Sequence, residues 1–335
     1  MTTKTVNKLP VPGATLHYEV TGSGPVLLLI PGGFTDGAIF DSIVGQLAAD
    51  YTVITYDPRG NSRSPYDAEL VGRGPLTRPG HVAHPYDAEL VGRGPLTRPG
   101  HVAHPYDAEL VGRGPVTRPG HVAHPYDERI DQSAEDALAL IDAVAGSEPA
   151  YVFGSSSGAI TGLELITRHP DRVRMLIAHE PPAVDVLPDA TTAHAFFEDV
   201  HTTYTTDGPV PALHLFAVGL GLDEDDQPAP EDLRPEYRHA MERMLGNTNT
   251  FFAHKLLPFT RYRPDLDALR EVAAKIVPAS GTDSAEHLPA RPIAVIADEI
   301  GWPVVTFPGG HTGYASHPVQ FATLLSRLLE SDQAS

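Results

Sequence analysis

The chain of 335 residues contains no cysteine. Disulfide bonds, a thiol nucleophile and a zinc site built on thiolates are therefore excluded. Basic side chains are also scarce, because 24 Lys and Arg stand against 43 Asp and Glu, which gives a formal net charge of -19 at pH 7. Negative charge on this scale repels phosphate backbones, so the composition argues against a nucleic-acid partner.

The sequence also lacks long apolar runs. None approaches the length that crosses a membrane, and the first ten residues are polar, unlike the apolar centre of a signal peptide. With 41% hydrophobic and 20% charged residues, the composition is ordinary for a globular protein with a substantial core. We therefore expect a cytoplasmic protein without a membrane partner, holding one large α/β domain or two smaller ones.

Short apolar runs alternate with helical patterns along most of the chain. This alternation predicts βαβ units with right-handed crossovers, and hence an α/β fold with a mostly parallel central sheet flanked by helices. The expected strands lie at about 15–20, 26–30, 51–56, 151–153, 173–178, 274–281 and 303–307. The expected helices lie at about 38–49, 130–145, 159–168, 285–300 and 319–329.

Residues 65–84, 85–104 and 105–124 are three copies of one 20-residue unit that differ only at Val116. Each unit is rich in proline and glycine, which favours loose order, although such units can also stack into an array. The block reads as an insertion, because joining Ser64 to Pro125 leaves a connection of ordinary length. It leaves the sheet at the edge where parallel sheets bind ligands. We expect the copies to pair between chains and so to form a homo-oligomer.

The βα alternation stops again between 183 and 264, where helical patterns and aromatic side chains predominate. This region is predicted to be a helical cap, and its aromatics are equally consistent with the cap's own core. The expected domains are a core of 1–64, 125–182 and 265–335, a repeat insertion of 65–124, and a cap of 183–264.

The pattern Gly154-x-Ser156-x-Gly158 lies between an apolar run and a helical pattern. A strand, a tight turn with glycine on both sides and a helix are what an exposed nucleophilic serine requires. The helix behind Ser156 brings backbone N–H groups to the place where an oxyanion would form. By itself the pattern is weak, because turns rich in glycine and serine commonly connect strands to helices.

A serine hydroxyl needs a base, and the base needs an acid that orients it. Among 17 histidines, His311 alone follows a strand end and two glycines in the last loop before the final helix, so we take it as the base. Asp283, in the turn after the preceding strand, is the favoured acid. Glu180, which also follows a strand, is the alternative.

An oxyanion also needs backbone donors. Ser157 follows the nucleophile and is expected to supply one N–H. The second is expected from Gly33 or Phe34, in the glycine-containing turn after the strand at 26–30. Asp57 and Arg59 are predicted instead to hold their loop in place beneath the site.

Taken together, these motifs resemble the α/β-hydrolase fold family. The likeness rests on Pro31-Gly32-Gly33, Asp57-x-Arg59-Gly60-x-Ser62-x-Ser64, Gly154-x-Ser156-x-Gly158, Asp283 and Gly310-His311. The stretches 168–173 and 179–182 are similar to bacterial members that have no assigned substrate. The resemblance implies a triad of Ser156, Asp283 and His311 and no cofactor. Pro31 stands where many members have histidine, and Asn61 interrupts a loop that is usually glycine-rich.

Three hypotheses follow. The first is a serine hydrolase that acts on a small or medium carboxylic ester through an acyl-enzyme, with C–C bond hydrolysis and cofactor-free perhydrolysis as other reactions of the fold. The second is chiefly an assembly role for the repeat block. The third is a metal site at the repeated pairs His81/His84, His101/His104 and His121/His124. Duplication explains those pairs more simply, so we expect no metal.

Overall fold

The computed structural model describes residues 4–67, 129–222, 235–285 and 287–333. At its centre is an eight-stranded sheet in the order β1-β2-β4-β3-β5-β6-β7-β8. Strand β2 pairs antiparallel with β1 and with β4, and the remaining pairs are parallel. The prediction of a mostly parallel sheet is confirmed. The strands are β1 Lys4–Val11, β2 Ala14–Gly22, β3 Val26–Ile30, β4 Thr52–Tyr56, β5 Ala150–Ser155, β6 Val173–His179, β7 Ile276–Gly281 and β8 Val305–Phe307.

Helices connect the strands and cover the sheet. They are α1 Asp41–Leu47, α2 Ile130–Ala145, α3 Ser157–Arg168, α4 Ala190–Asp207, α5 Pro209–Gly219, α6 Pro235–Gly246, α7 Thr248–Thr250, α8 Leu256–Thr260, α9 Leu266–Glu271, α10 Arg291–Ile300, α11 Gly313–Ser316 and α12 Pro318–Gln333. The helices expected at 38–49 and 285–300 each begin with a short 3₁₀ turn, Gly37–Phe40 and Leu288–Ala290. None of the helices in the described ranges is both long enough and apolar enough to cross a membrane.

Strand β3 shows why the apolar runs are continuous rather than alternating. Leu27 and Leu29 pack on one face of the sheet with α1 and α12, whereas Leu28 and Ile30 pack on the other with α2, α3 and α10. All four side chains are at most 1% exposed. Parallel strands that are covered on both faces need apolar residues at every position, and each fully buried side chain contributes about 1.5–3 kcal/mol.

Residues 183–264, called the cap segment below, lie between β6 and β7 in the chain and carry α4 to α8. Their aromatic and aliphatic side chains form a third apolar cluster, which includes Phe197, Phe251 and Phe252 and extends to Phe34 of the core. Between α7 and α8 the chain forms a π-helical turn, Phe251–Lys255. Most of the aromatics in this segment pack in that cluster, whereas Phe259 and Tyr262 pack with the core.

The sequence did not predict strand β1. Its residues are exposed or half-buried, in a pattern that never reaches full burial, because β1 is the edge strand of the sheet. It pairs with β2 through a tight turn at residues 12–13, from Lys4 opposite Thr21 to Val11 opposite Ala14. A polar edge strand has no strong apolar periodicity in its sequence. Its strand conformation therefore depends more on pairing with β2 than on its own composition.

Only the first residues of the repeat block belong to the described chain. The Thr15 N–H donates to the Pro65 carbonyl at 3.3 Å, and the Asp67 N–H donates to the Gly13 carbonyl at 2.9 Å. The Tyr66 ring lies so close to Gly60 that an added Cβ there would meet it at 2.4 Å. The rest of the block, with its histidine pairs and its expected role in assembly, lies outside the described residues.

These contacts sharpen the expected effect of deleting 65–124. Pro125-Tyr126-Asp127 repeats the sequence of residues 65–67, so the deletion places the same three residue types against the β1–β2 turn. Each doubling of the length of a surface loop raises its closure free energy by only about 0.6 kcal/mol. Shortening this loop should therefore not destabilise the rest of the protein. We expect a folded variant with an unchanged or slightly raised Tm in thermal unfolding. An insoluble variant would show instead that the block belongs to the core.

The same two proteins test the assembly role. Light scattering should find a larger oligomer for the full chain than for the deletion variant. Equal assembly states would remove that role from the repeats.

Candidate active site

The turn after β5 holds Ser156 in a strained conformation. Its φ is 57° and its ψ is -127°, a region that residues with a side chain rarely occupy. The backbone is held on both sides, because the Ser156 N–H donates to the His179 carbonyl at 2.9 Å and its own carbonyl accepts from Ala159 at 2.9 Å. The predicted sharp turn at this serine is therefore present, and helix α3 begins directly after it.

The glycines on either side of Ser156 permit close packing of backbone against backbone. A Cβ on Gly158 would lie 2.2 Å from the Ile30 carbonyl oxygen, and one on Gly154 would lie 2.4 Å from the Gly158 carbonyl oxygen. Real Cβ atoms do not tolerate such distances, so glycine is required at both positions. The approach also brings the end of β3, and the turn that follows it, beside Ser156.

His311 lies in the loop after β8, where the sequence places it. Its side chain is 10% exposed. Its Nδ1 lies 2.6 Å from Oε2 of Glu180, which is fully buried. Oε1 of the same carboxylate accepts a hydrogen bond from the Gly281 N–H at 2.8 Å. The Glu180 backbone is left-handed, with φ 50°, directly after β6. The acid that contacts the histidine is therefore Glu180.

Asp283, which the sequence favours as the acid, forms no hydrogen bond with His311 within the described chain. That residue lies in a 3₁₀ turn after β7, its side chain is exposed, and its N–H donates to the Gly309 carbonyl at 3.0 Å. Glu180 follows β6, the strand next to β7, and its carboxylate reaches His311 directly.

The charges of this pair have a clear physical origin. Burial raises the pKa of Glu180, but the hydrogen bond and charge of His311, the nearby His179 and the Gly281 N–H outweigh burial and hold it at about 2. The carboxylate is thus ionised near neutral pH and can only accept. In the neutral tautomer that donates from Nδ1 to this carboxylate, Nε2 of His311 is free to act as a base.

A second histidine, His179, lies behind the pair and was not identified from the sequence. It is fully buried, and its ring is surrounded by Phe153, Phe307 and Phe321 at centroid distances of 6.0, 5.9 and 5.7 Å. Neither ring nitrogen has a hydrogen-bond partner within the described chain. Burial lowers the pKa of His179 to about 4 against the attraction of Glu180, so the ring is neutral near pH 7.

The turn after β3 faces the start of α3. The Ser157 hydroxyl accepts a hydrogen bond from the Gly33 N–H at 2.8 Å, so that N–H is already occupied. Over the part of the chain that the structure describes, the N–H groups of Ser157 and Phe34 have no protein acceptor. Of the two donors that the sequence left open, Phe34 is thus the one that remains available.

A cavity opens between the core and the cap segment. Ser156 and His311 lie in its wall, and no hydrogen bond joins them in this structure. Such contacts are often loose before substrate binds. The remaining wall is largely apolar and includes Val184, Phe197, Phe216, Leu220, Phe251, Leu256, Phe259 and Leu288. The described residues contain no cluster of three His, Asp or Glu that could hold a metal ion.

The loop after β4 is held by buried ion pairs and hydrogen bonds of Asp57 and Arg59. Arg59 forms a buried bidentate pair with Asp136 of α2, and Asp57 accepts from the Arg63 guanidinium and from the Gly37 N–H. Asp57 is completely buried and Arg59 is 4% exposed. The prediction that these two residues hold the loop in place is confirmed.

Comparison with known proteins agrees with this architecture. Residues 25–216 match the alpha/beta hydrolase fold family. An uncharacterised hydrolase of Bacillus subtilis, YraK, is 30% identical over 331 residues, which cover 97% of this chain and 96% of the relative. The chain therefore belongs to the α/β-hydrolase fold family and is a hydrolase.

A more distant relative and a solved structure extend the likeness. A zearalenone hydrolase of Cladophialophora bantiana is 25% identical over 316 residues, covering 92% of this chain and 91% of the relative. The crystallised esterase of Thermogutta terrifontis superposes with a TM-score of 0.62 at 16% identity, covering 99% of both chains. The structural likeness shows a shared fold.

The buried His179 predicts a specific pH dependence of stability. Its pKa is 6.5 when unfolded and about 4 when folded, so between these values the unfolded chain binds more protons. His179 therefore leaves the free energy of unfolding unchanged above pH 6.5. Between pH 6.5 and pH 4 it lowers that free energy, by at most about 1.4 kcal/mol per pH unit. His179→Phe should remove this slope.

The measurement is urea unfolding of both proteins at several pH values from 7.5 to 4. As the pH falls from 6.5 to 4, the unfolding free energy of the wild type should decrease more than that of the variant. Two curves that run parallel would contradict the assignment, because the other titrating groups are common to both proteins.

Proposed function

We propose that this chain is a serine hydrolase of carboxylic esters that works through an acyl-enzyme, with Ser156, His311 and Glu180 as its triad. The observation that carries the proposal is the 2.6 Å contact between Glu180 and Nδ1 of His311, since His311 shares a cavity with the strained Ser156. A buried carboxylate bonded to a histidine that shares a cavity with a serine is the arrangement that acyl transfer requires.

In the first half of the reaction, Ser156 Oγ attacks the ester carbonyl carbon while Nε2 of His311 takes its proton. Glu180 stabilises the imidazolium that forms. The N–H groups of Ser157 and Phe34 donate to the oxyanion. The bond to the alcohol then breaks, and His311 returns the proton to the leaving oxygen, which leaves an acyl group on Ser156.

In the second half, a water molecule gives its proton to His311 and attacks the acyl carbon. The same two N–H groups stabilise the second oxyanion. Ser156 leaves as the alcohol with the proton from His311, and the carboxylic acid is released.

The cavity indicates the kind of substrate. Its wall is largely aromatic and aliphatic, which favours an apolar group. We infer an ester in which the acyl or the alcohol part is apolar. Since a relative is named for its action on zearalenone, that compound belongs in the substrate panel beside nitrophenyl esters of rising chain length.

The nucleophile is tested with Ser156→Ala. Because the variant removes the attacking oxygen and little else, ester turnover should fall by about 10⁴-fold or more with Tm preserved. Ser42→Ala is the matched control, since it removes a serine hydroxyl that bonds the Tyr314 carbonyl away from the cavity wall. A fluorophosphonate should phosphonylate Ser156 Oγ in the native protein, with loss of fluoride and the hydroxyl proton. Near-normal turnover by Ser156→Ala would contradict the proposal.

The acid is tested by comparing Glu180→Gln with Asp283→Asn. A glutamine keeps the shape of Glu180 but cannot stabilise an imidazolium, so kcat should fall by about 10⁴-fold. Asp283→Asn changes an exposed carboxylate and should stay within about 3-fold of the wild type. The opposite ranking would return the role to Asp283.

A further inference from the structure

The turn after β3 has almost all of its polar groups engaged. The Gly33 N–H donates to Ser157 Oγ at 2.8 Å, and the Thr35 N–H donates to the Gly32 carbonyl at 3.1 Å. The Phe34 N–H lies between them and has no acceptor within the described chain. The turn itself lies against Ser156, since a Cβ on Gly32 would meet the Ser156 Cβ at 2.6 Å. An N–H of this turn without a protein acceptor is available to a ligand atom there.

Two asparagine amides restrain the carbonyls of the same turn. Asn61 Nδ2 donates to the Thr35 carbonyl at 2.8 Å and lies 3.5 Å from the Gly33 carbonyl. Asn247 Nδ2 donates to the Phe34 carbonyl at 2.8 Å. The two asparagines are 1% and 5% exposed, so water does not compete for these bonds.

The direction of the Phe34 N–H follows from these contacts. The Gly33 carbonyl and the Phe34 N–H belong to one planar trans peptide, in which the two groups point in opposite directions. Gly33 has a φ of 57°, where its peptide group can rotate easily unless something holds it. Asn61 thus restrains the peptide that carries the Phe34 N–H, and Asn247 restrains the next peptide, whose carbonyl it binds. Together the two amides fix the direction of the N–H between them.

Asn247 also joins the cap segment to the core. Its Oδ1 accepts a hydrogen bond from the Ser62 N–H at 2.7 Å, and its Nδ2 lies 3.0 Å from Ser62 Oγ. It follows α6, so the position of that helix is linked through one side chain to the turn and to the loop after β4. Within the described ranges nothing donates to the buried Oδ1 of Asn61, which costs about 1–3 kcal/mol, whereas its Nδ2 is bonded.

We propose that Asn61 and Asn247 are positioning residues that aim the Phe34 N–H at the oxyanion, and that Asn247 makes this aim depend on the cap segment. The inference rests on the proposed ester hydrolysis. It assigns a role to Asn61, the residue that departs from the glycine-rich loop of the family.

The test uses the isosteric variants Asn61→Asp and Asn247→Asp in the full chain. Each replaces an N–H donor by a carboxylate oxygen that faces a carbonyl, and Asn247→Asp keeps the acceptor for Ser62. The controls remove buried hydrogen bonds nearby: Ser64→Ala, whose Oγ accepts from His17, and Thr248→Val, whose Oγ1 donates to Leu245. Where an Asp variant does not fold, the corresponding Ala variant is measured.

Three quantities are compared. They are kcat, KM and the ratio of the affinities for a phenylboronic acid and for benzoate. The boronic acid forms a tetrahedral adduct with serine, whereas benzoate does not. Losing an oxyanion donor costs about 10²–10³ in kcat, so a misaimed donor should cost about 10–100-fold. KM should stay within about 3-fold, and boronate affinity should fall together with kcat. The control variants should change Tm without this pattern.

The outcomes separate two failures. A wild-type protein without ester turnover contradicts the proposed function before any variant is compared. An active wild type, with kcat and boronate affinity within about 3-fold in the asparagine variants, contradicts only the positioning role. In that case a lowered Tm would show that the two amides are structural.

Discussion

The strained turn at Ser156 is the constraint on which the site depends. Its left-handed backbone is stable only because surrounding elements hold it: β6 accepts its N–H, and the Gly158 backbone lies against the end of β3. The approach of Gly158 places the end of β3 beside Ser156, and the hydrogen bond to His179 adds the end of β6, which Glu180 follows. A bulkier residue at Gly158 would therefore disturb all three at once.

Much of this could be predicted from sequence because it is local. The runs at 26–30 and 130–145 coincide with β3 and α2, since burial on both faces and helical periodicity leave direct traces in composition. The Gly154-x-Ser156-x-Gly158 turn is equally local. The edge strand β1 was missed because an exposed strand leaves no such trace.

The choice between Glu180 and Asp283 required the fold. The two residues follow adjacent parallel strands, with His179 in register with Ala279, so Glu180 leaves the sheet about three positions before Asp283 does. No periodicity in the sequence reports which of two such carboxylates turns inward. What decides it is the left-handed backbone at Glu180, together with its contacts to Gly281 and His311.

The polar support of the site shows the same limit more strongly. Phe34 and Asn247 are 213 positions apart, and Gly33 and Ser157 are 124 apart, yet each pair shares a hydrogen bond. A neutral His179 beside Glu180 is likewise consistent with function, because a second positive charge there would compete with His311 for the one buried carboxylate. A short motif such as Gly154-x-Ser156-x-Gly158 indicates a strained turn. The hydrogen-bonding and charged groups around that turn come from distant segments, which only the folded chain brings together.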